Sequence, residues 1–445
     1  SPFVYCSARQ GHSSLNPKLI GKDMKPLFDT IISHIPSPSG DNSKPFKMLI
    51  SSAEHNEFVG RLVIGKVEQG TLKVGDSVVA CNFHDTSKNI RGKIVQLFEF
   101  MGLKRVPVTV ANAGDIVSIA GIESAQIGDT LCSPNDISPI EFVKIERPTV
   151  EMTFMVNESP FAGKEGKFVT SRHLRERLYK EAVKDLSLSI SDTKSTDSFV
   201  VCGRGEMHLS ILIESMRREG YEFQVSMPKV LFIEKEGQKL EPIDRLMIDV
   251  PVDCVGTIMG KMGIRKGELV QMHDHNNRMK MEFLIPERGL FGFKSEFLTD
   301  TRGEGVMNSV FFEYQPYKGN IEKRVFGSLI AHETGEAIVY GLFNAQERGD
   351  LFINPGDKVY ASMIVGQNPK GEDIVVNVCK KKHLSNCRSS GADEALRLTP
   401  IRQMSLEDCI EFICDDELIE VTPKTVRLRK KILDANMRLR ERNKK

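Results

Sequence analysis

The sequence predicts a multidomain α+β protein: a β-barrel, then two ferredoxin-like domains of the split βαβ plan, then a mostly β C-terminal domain. Three observations carry this expectation. At 445 residues the chain exceeds one ordinary core, and roughly three to five domains are expected. Short strand-like runs between turn signals fill residues 46–120 at the spacing of an all-β closed structure. Two successive segments, 149–226 and 245–312, then repeat the order strand, helix, strand, strand, helix, strand.

Composition narrows the class. Apolar residues make up 40% and charged residues 27%, as in ordinary folded chains. No apolar run approaches the roughly 20 residues that span a bilayer, and no basic segment leads into an apolar one at the N-terminus, so a cytoplasmic protein without a membrane partner is expected. Nine cysteines stand singly at 6, 81, 132, 202, 254, 379, 387, 409 and 414, a pattern of reduced, mostly buried thiols with no zinc spacing. His273-Asp274-His275 is read as a polar strand end beside Asn276-Asn277, and no metal site is expected.

In chain order, residues 1–42 look like a βα remnant followed by a linker. Phe3-Val4-Tyr5 reads as a buried strand running into Cys6-Ser7-Ala8-Arg9, and Met24–Ile35 has the apolar spacing of an amphipathic helix that Pro36 ends. One strand and one helix cannot bury a core, and the start at Ser1 without Met favours a fragment of a longer protein. Ser37–Asn42 is a linker by composition.

Over 43–146 the runs Phe46–Ser51, Phe58–Lys66, Ser77–Ala80, Lys88–Phe98 and Asp115–Ala120 predict a closed antiparallel barrel. Residues 147–240 predict strands Thr149–Asn157, Leu186–Ser191, Ser198–Cys202 and Glu222–Ser226 with helices Thr170–Val183 and Glu206–Arg218. Residues 241–319 predict strands Arg245–Val250, Gly267–His273, Arg278–Ile285 and Gly305–Phe312, with helices near 253–262 and 289–300. Residues 320–445 predict β runs Val325–Ala331, Ala337–Phe343, Lys358–Val365 and Asp373–Val378, a helix near Leu406–Ile413 and a strand Val426–Arg429.

After Asp373–Val378 comes Cys379-Lys380-Lys381-Lys382-His383-Leu384-Ser385-Asn386-Cys387-Arg388-Ser389-Ser390-Gly391, which has no helical or strand periodicity. This is a cationic loop suited to reaching phosphates; a solvated surface turn is the plainer alternative. The net charge of +1 hides an asymmetry: Lys424–Lys445 holds ten Lys/Arg against Asp434 and Glu441. An acidic block, Glu407 to Glu420, precedes it without a Lys or Arg. A neutral whole with a basic tip suggests a polyanion met at one end, and the last ten residues read as a disordered basic tail.

No catalytic constellation emerges. Gly163-Lys164-Glu165-Gly166-Lys167 and Gly256–Lys261 lack the spacing of a phosphate loop, and Asp300-Thr301-Arg302-Gly303 is too short a pattern to mean much. No nucleophile elbow or zinc-protease motif appears either. The chain alone is not expected to be an enzyme.

Longer motifs carry a family resemblance: Ser159–Arg172, Gly203-Arg204-Gly205-Glu206-Met207-His208-Leu209-Ser210, Pro286–Phe297, Lys381–Arg388 and Asp415–Pro423. With the domain order, they resemble the BipA/TypA ribosome-associated translational GTPases over the whole chain, without the GTP-binding domain. The final domain is similar to the one that separates this family from elongation factor G and its elongation factor 4 relatives. The resemblance implies a ribosome-binding part of such a factor, acting in ribosome assembly or stress-adapted translation as a monomer, with 23S rRNA and A-site tRNA as partners. Hydrolysis, with GTP and Mg²⁺ as cofactors, would belong to the absent domain, and no cofactor is expected here.

By that resemblance Lys380, Lys381, Lys382, His383, Asn386 and Arg388 would touch RNA, joined by Arg427, Arg429, Lys430 and Lys431. Lys164, Lys167 and Arg172 of the glycine-rich loop before a helix, and Arg204, would make interdomain or rRNA contacts; a glycine turn with a helix cap is the plain alternative. Ser7 and Ala8 look like a remnant of the guanine-facing loop. The other class kept open is a nucleotide-independent RNA-binding or ribosome-assembly protein.

Overall fold

The computed structural model describes residues 2–36, 40–56, 58–143, 148–275, 277–321, 326–381 and 397–442. They fall into two units, Ser1–Ile145 and Glu146–Lys445. No helix among the described residues is long and apolar enough to cross a membrane.

In the first unit one strand run serves two neighbours. Asn89–Lys93 pairs antiparallel with Ser77–Asn82, and Gln96–Met101, just past Ile94 and Val95, pairs with Ile116–Ala120. Between these partners the ladder runs through Asp129–Cys132, Lys47–Asn56 and Gly60–Gln69, antiparallel at every step. The ring therefore closes as expected, because residues 89–101 bond at both ends of the ladder. Met48, Ile50, Val63, Leu97, Ile119 and Leu131, each at most 1% exposed, fill its interior. Closure also removes the free edges that an open sheet would present.

The N-terminal segment corrects an expectation. Tyr5–Ser7 forms a hairpin with His12–Ser14, but Phe3 is 79% exposed, and the helix α1 (Lys25–His34) has no buried residue. Two short strands and one helix offer no second layer to cover them.

The second unit begins with a ferredoxin-like fold. Its strands lie in the order Ser189–Asp192, Ser198–Gly203, Val150–Val156, Phe223–Val225, antiparallel throughout. Helices α2 (Ser171–Lys184) and α3 (Glu206–Glu219) pack Leu174, Leu178, Leu209 and Ile213 onto Met152 and Phe154. Thr170 caps α2 through the His173 N–H, and Gly220, at φ 99°, ends α3 in the left-handed conformation that glycine adopts without strain. The second copy of the plan uses Gln238–Pro251 as its central strand, flanked by Val306–Pro316 and Arg278–Pro286, with Glu268–His275 beyond. Helices α4 (Val255–Ile264) and α5 (Phe293–Asp300) cover one face with Ile258, Met262, Phe293 and Phe297.

The sheet of the first ferredoxin-like fold does not stop at its last strand. Phe223–Val225 pairs antiparallel with Glu417–Val421, and the ladder continues through Val426–Lys430, Met363–Asn368, Gly327–Ala331 and, in parallel, Ile374–Val376. Segments 147–240 and 320–445 thus share one eleven-stranded sheet.

Two expectations fail in this last segment. The run Ala337–Phe343 is not a strand: Val339–Gln346 is helix α6, because Leu342 and Ala345 reach the core one turn apart and Gly341 lies against the Val378 carbonyl. The basic tail is also ordered through residue 442: beyond α7 (Leu406–Phe412), Ala435–Arg442 is helix α8. Asp434 accepts the Met437 N–H at 2.8 Å, and Arg438 donates to Ser362 Oγ and to the Ile432 and Leu433 carbonyls.

Candidate nucleic-acid interface

The cationic loop leaves the sheet from a fixed base. Asn377 Oδ1 accepts the Cys379 N–H at 3.0 Å while its Nδ2 donates to Glu333 at 2.8 Å, and the Ile338 N–H holds the Val378 carbonyl. Cys379 is half-buried, and that burial pushes its thiol pKa up. Lys380 and Lys381 follow, both exposed. Lys382, His383, Asn386 and Arg388 lie outside the described residues.

The second half of the expected set is corrected. Arg429 and Lys430 are buried, at 3% and 2% exposure, and Arg427 is half-buried, so none of the three presents its charge to a polyanion; only Lys431 is exposed. Lys430 Nζ stands 2.6 Å from Asp373, 2.9 Å from Glu417 and 3.0 Å from Asp416. Burial works against its charge, yet these carboxylates hold its pKa above the ordinary lysine value. Arg427 bridges Glu165 and Glu420. Arg427 and Lys430 of the basic stretch are therefore partners of Glu420, Glu417 and Asp416 of the acidic block across a hairpin, while Lys424, Lys431 and Arg440 stay exposed.

The glycine-rich loop is held by acids of its own chain. Glu222, 3% exposed, accepts the N–H groups of Gly163 at 2.7 Å, Gly166 at 2.8 Å and Glu165 at 3.3 Å. Asn157 Nδ2 links it to Glu420, which also accepts from Ser159 Oγ at 2.8 Å and Tyr360 OH at 2.8 Å. At Glu165, burial tends to raise the carboxyl pKa; hydrogen bonds from Thr422 and Thr425, and Arg427, outweigh it and hold the group below its usual range. Three amides of the loop are thus filled by an internal carboxylate, and the helix that follows is capped by Thr170 on the His173 N–H. What the loop shows to solvent is side-chain charge. Lys164 and Lys167 are exposed, Lys164 lying 4.3 Å from the Phe161 ring centre, whereas Arg172 shares its charge with Glu176 at 2.9 Å.

Arg204 is exposed, and its carbonyl accepts from Thr149 Oγ1. Ser7 and Ala8 sit at the turn of the N-terminal hairpin, where the Ser7 carbonyl takes the N–H of Gly11 at 2.9 Å. The structure therefore leaves Lys380, Lys381, Lys431, Lys164, Lys167, Arg172 and Arg204 as exposed cations of the expected set, Arg172 beside Glu176.

Sequence reasoning missed Glu222 and Glu420, the acids that organise the loop. Glu420 was legible in principle: it stands opposite Arg427, and Glu417 opposite Lys430, in a five-plus-five hairpin around Thr422-Pro423-Lys424-Thr425.

Four family descriptions match successive parts of this chain: "Elongation factor Tu domain 2" over 60–132, "Elongation Factor G, domain III" over 168–228, "Elongation factor G C-terminus" over 238–325 and "TypA/BipA C-terminal domain" over 326–435. Similar curated proteins include the "Large ribosomal subunit assembly factor BipA" of Bacillus subtilis (strain 168), 44% identical over 100% of this chain and 72% of the relative. The protein of the same name from Synechocystis sp. is 46% identical over 92% of this chain and 68% of the relative. A solved structure from Thermus thermophilus overlaps 66% of this chain and 59% of its own at 16% identity and a TM-score of 0.42. On the identity and coverage of the curated relatives, the chain belongs to the BipA/TypA family.

Proposed function

We propose that the chain serves in assembly of the large ribosomal subunit, binding 23S rRNA and the end of A-site tRNA through the cationic loop that begins at Lys380. The match of the TypA/BipA C-terminal domain to the segment bearing that loop carries this reading, and the name of the relatives, large ribosomal subunit assembly factor, supports it. Exposed Lys380 and Lys381 on an anchored strand end suit phosphate contact, which is long-ranged and tolerant of geometry. Lys164, Lys167, Arg204 and Lys431 are further candidates for backbone contacts. The working setting is a monomer in the cytoplasm, in ribosome assembly or stress-adapted translation.

GTP and Mg²⁺ belong to this reading only through a domain other than the folds described. The residues present do not fit them. The glycine-rich loop ahead of α2 spends the amides of Gly163 and Gly166 on Glu222, and among the described residues no three His, Cys, Asp or Glu side chains group closely enough to hold a metal.

Co-sedimentation with large subunits across a salt series tests the proposal, comparing the native chain with a variant in which Lys380, Lys381, Lys382 and Arg388 are Ala. The native chain should pellet, and the variant should bind more weakly with a salt slope shallower by about one per lost phosphate contact. Equal behaviour of the two would sink it.

A further inference from the structure

A cleft of about 710 Å³ opens between the two ferredoxin-like folds and α7. Glu206 of α3, Asp244, Glu287, Glu407, Asp408 and Glu411 bring six carboxylates to its walls, against the side-chain cations Arg204 and Lys294. Leu290, Phe291, Leu298, Met307 and Val310 give it an apolar lining. His208 also lines it, but its Nε2 is spent on Asp185 at 2.8 Å.

One acid stands out from the cluster. Glu287 is 6% exposed; its Oε1 accepts from Thr149 Oγ1 at 2.9 Å, and its Oε2 has no hydrogen-bond partner among the described residues. Burial without a donor favours the protonated form of such a carboxyl, and a cation that displaces the proton would supply the missing donor. Lys294 does not supply it: its Nζ meets Met207 Sδ at 3.6 Å and makes no ion pair among the described residues. A metal is a poor occupant, since no three suitable ligands converge there among the described residues. An anion would face a wall of acids.

We propose that this cleft binds a guanidinium or ammonium group carried on an apolar stem, its charge seated on Glu287, with Glu206 adding negative charge to the wall and the stem lying against the apolar lining of Phe291 and Met307. A free alkylguanidine or alkylamine and a basic side chain of a peptide share this chemistry. The proposal does not depend on the RNA-binding reading.

Proton linkage gives the site a signature. Burial, with the charge of Asp244 adding and the Thr149 hydrogen bond opposing, pushes Glu287 up to about 8. Burial, with Glu411 and Glu407 adding and Lys294 opposing, does the same to Glu206. Burial, with Asp408 and Glu296 adding and the Ser295 amide and Arg265 opposing, also raises Glu411. A bound cation must displace these protons, so affinity rises with pH by on the order of tenfold between about pH 6.5 and 8.5.

The test uses the full chain with ¹³C-methyl methionine, titrated with n-butylguanidinium and with acetyl-Leu-Arg-Leu-amide, reading the Met207 and Met307 methyls. Saturable shifts that strengthen with pH are expected, with about tenfold weakening in Glu287→Gln and tightening in Lys294→Gln. Similar affinity for both probes assigns a small cation; a peptide about tenfold tighter assigns a basic polypeptide segment. Should Glu287→Gln misfold, Glu206→Gln carries the same comparison. Absence of saturable shifts, indifference to both carboxyl substitutions, or tighter binding of acetyl-Leu-Glu-Leu-amide overturns the proposal.

Discussion

Lys430 Nζ lies 2.9 Å from Oε1 of Glu417, its direct partner across the hairpin, with side-chain exposures of 3% and 0%. Removing one member of such a pair leaves uncompensated charge in a dry interior. Lys430→Met should cost about 3–5 kcal/mol, read as a drop in the denaturant midpoint of the second unit. Adding Glu417→Gln should return a large part of the loss. A Lys430→Met protein within about 1 kcal/mol of the native one would show that the pair is worth no more than a surface bridge.

Glu222→Ala should release the loop it ties. The amides of Gly163 and Gly166 lose their acceptor, so their hydrogen exchange accelerates by on the order of a hundredfold while α2 stays protected. The vacated amides should then be protected again by added sulfate, as a nest of N–H groups would be. Unchanged exchange would mean that the loop is held by other contacts.

Gly341 is tested by one methyl. A Cβ there would stand 2.2 Å from the Val378 carbonyl oxygen, so Gly341→Ala must push α6 off the strand end that carries the cationic loop. A loss of about 1–3 kcal/mol in thermal or denaturant unfolding is expected. No loss would mean that α6 slides freely at this contact.

The cleft acids predict a pH dependence of stability. Glu287 and Glu206 ionise near 4.5 when unfolded and near 8 in the fold, so the folded chain keeps its protons longer. Their stabilising effect is therefore complete below about 4.5, declines as pH rises toward 8 and is lost above it, by on the order of a few kcal/mol for Glu287. Glu287→Gln should flatten the midpoint-against-pH curve over that range. A curve of equal slope in the variant would exclude Glu287 as its source.

The repeated ferredoxin-like plan was legible because apolar alternation and helical spacing act locally; the second copy buries its own core, while the first shares its core with C-terminal residues such as Ile410, Ile419 and Val421. Barrel closure was legible for the same reason: turn signals marked each strand run, and a single run, Lys88–Phe98, supplied both closing segments. Long-range pairing was not. Ala337–Phe343 is rich in strand formers, yet Gly341 fits a helix against Val378, a contact no local window contains. Glu417, Glu420, Arg427 and Lys430 looked like surface charge because isolated charges belong in water, and only the hairpin register cancels them in pairs. The loop acid Glu222 gave no sign of itself, since its partners are backbone amides that any sequence supplies.

The ladder from Ser189–Asp192 to Ile374–Val376 ties the first ferredoxin-like fold and the C-terminal segment into one sheet. Rows of interstrand hydrogen bonds resist shear, so Phe223–Val225 cannot hinge freely against Glu417–Val421. The strand end that bears Lys380 and the sheet that carries α2 and α3 therefore belong to one hydrogen-bonded frame.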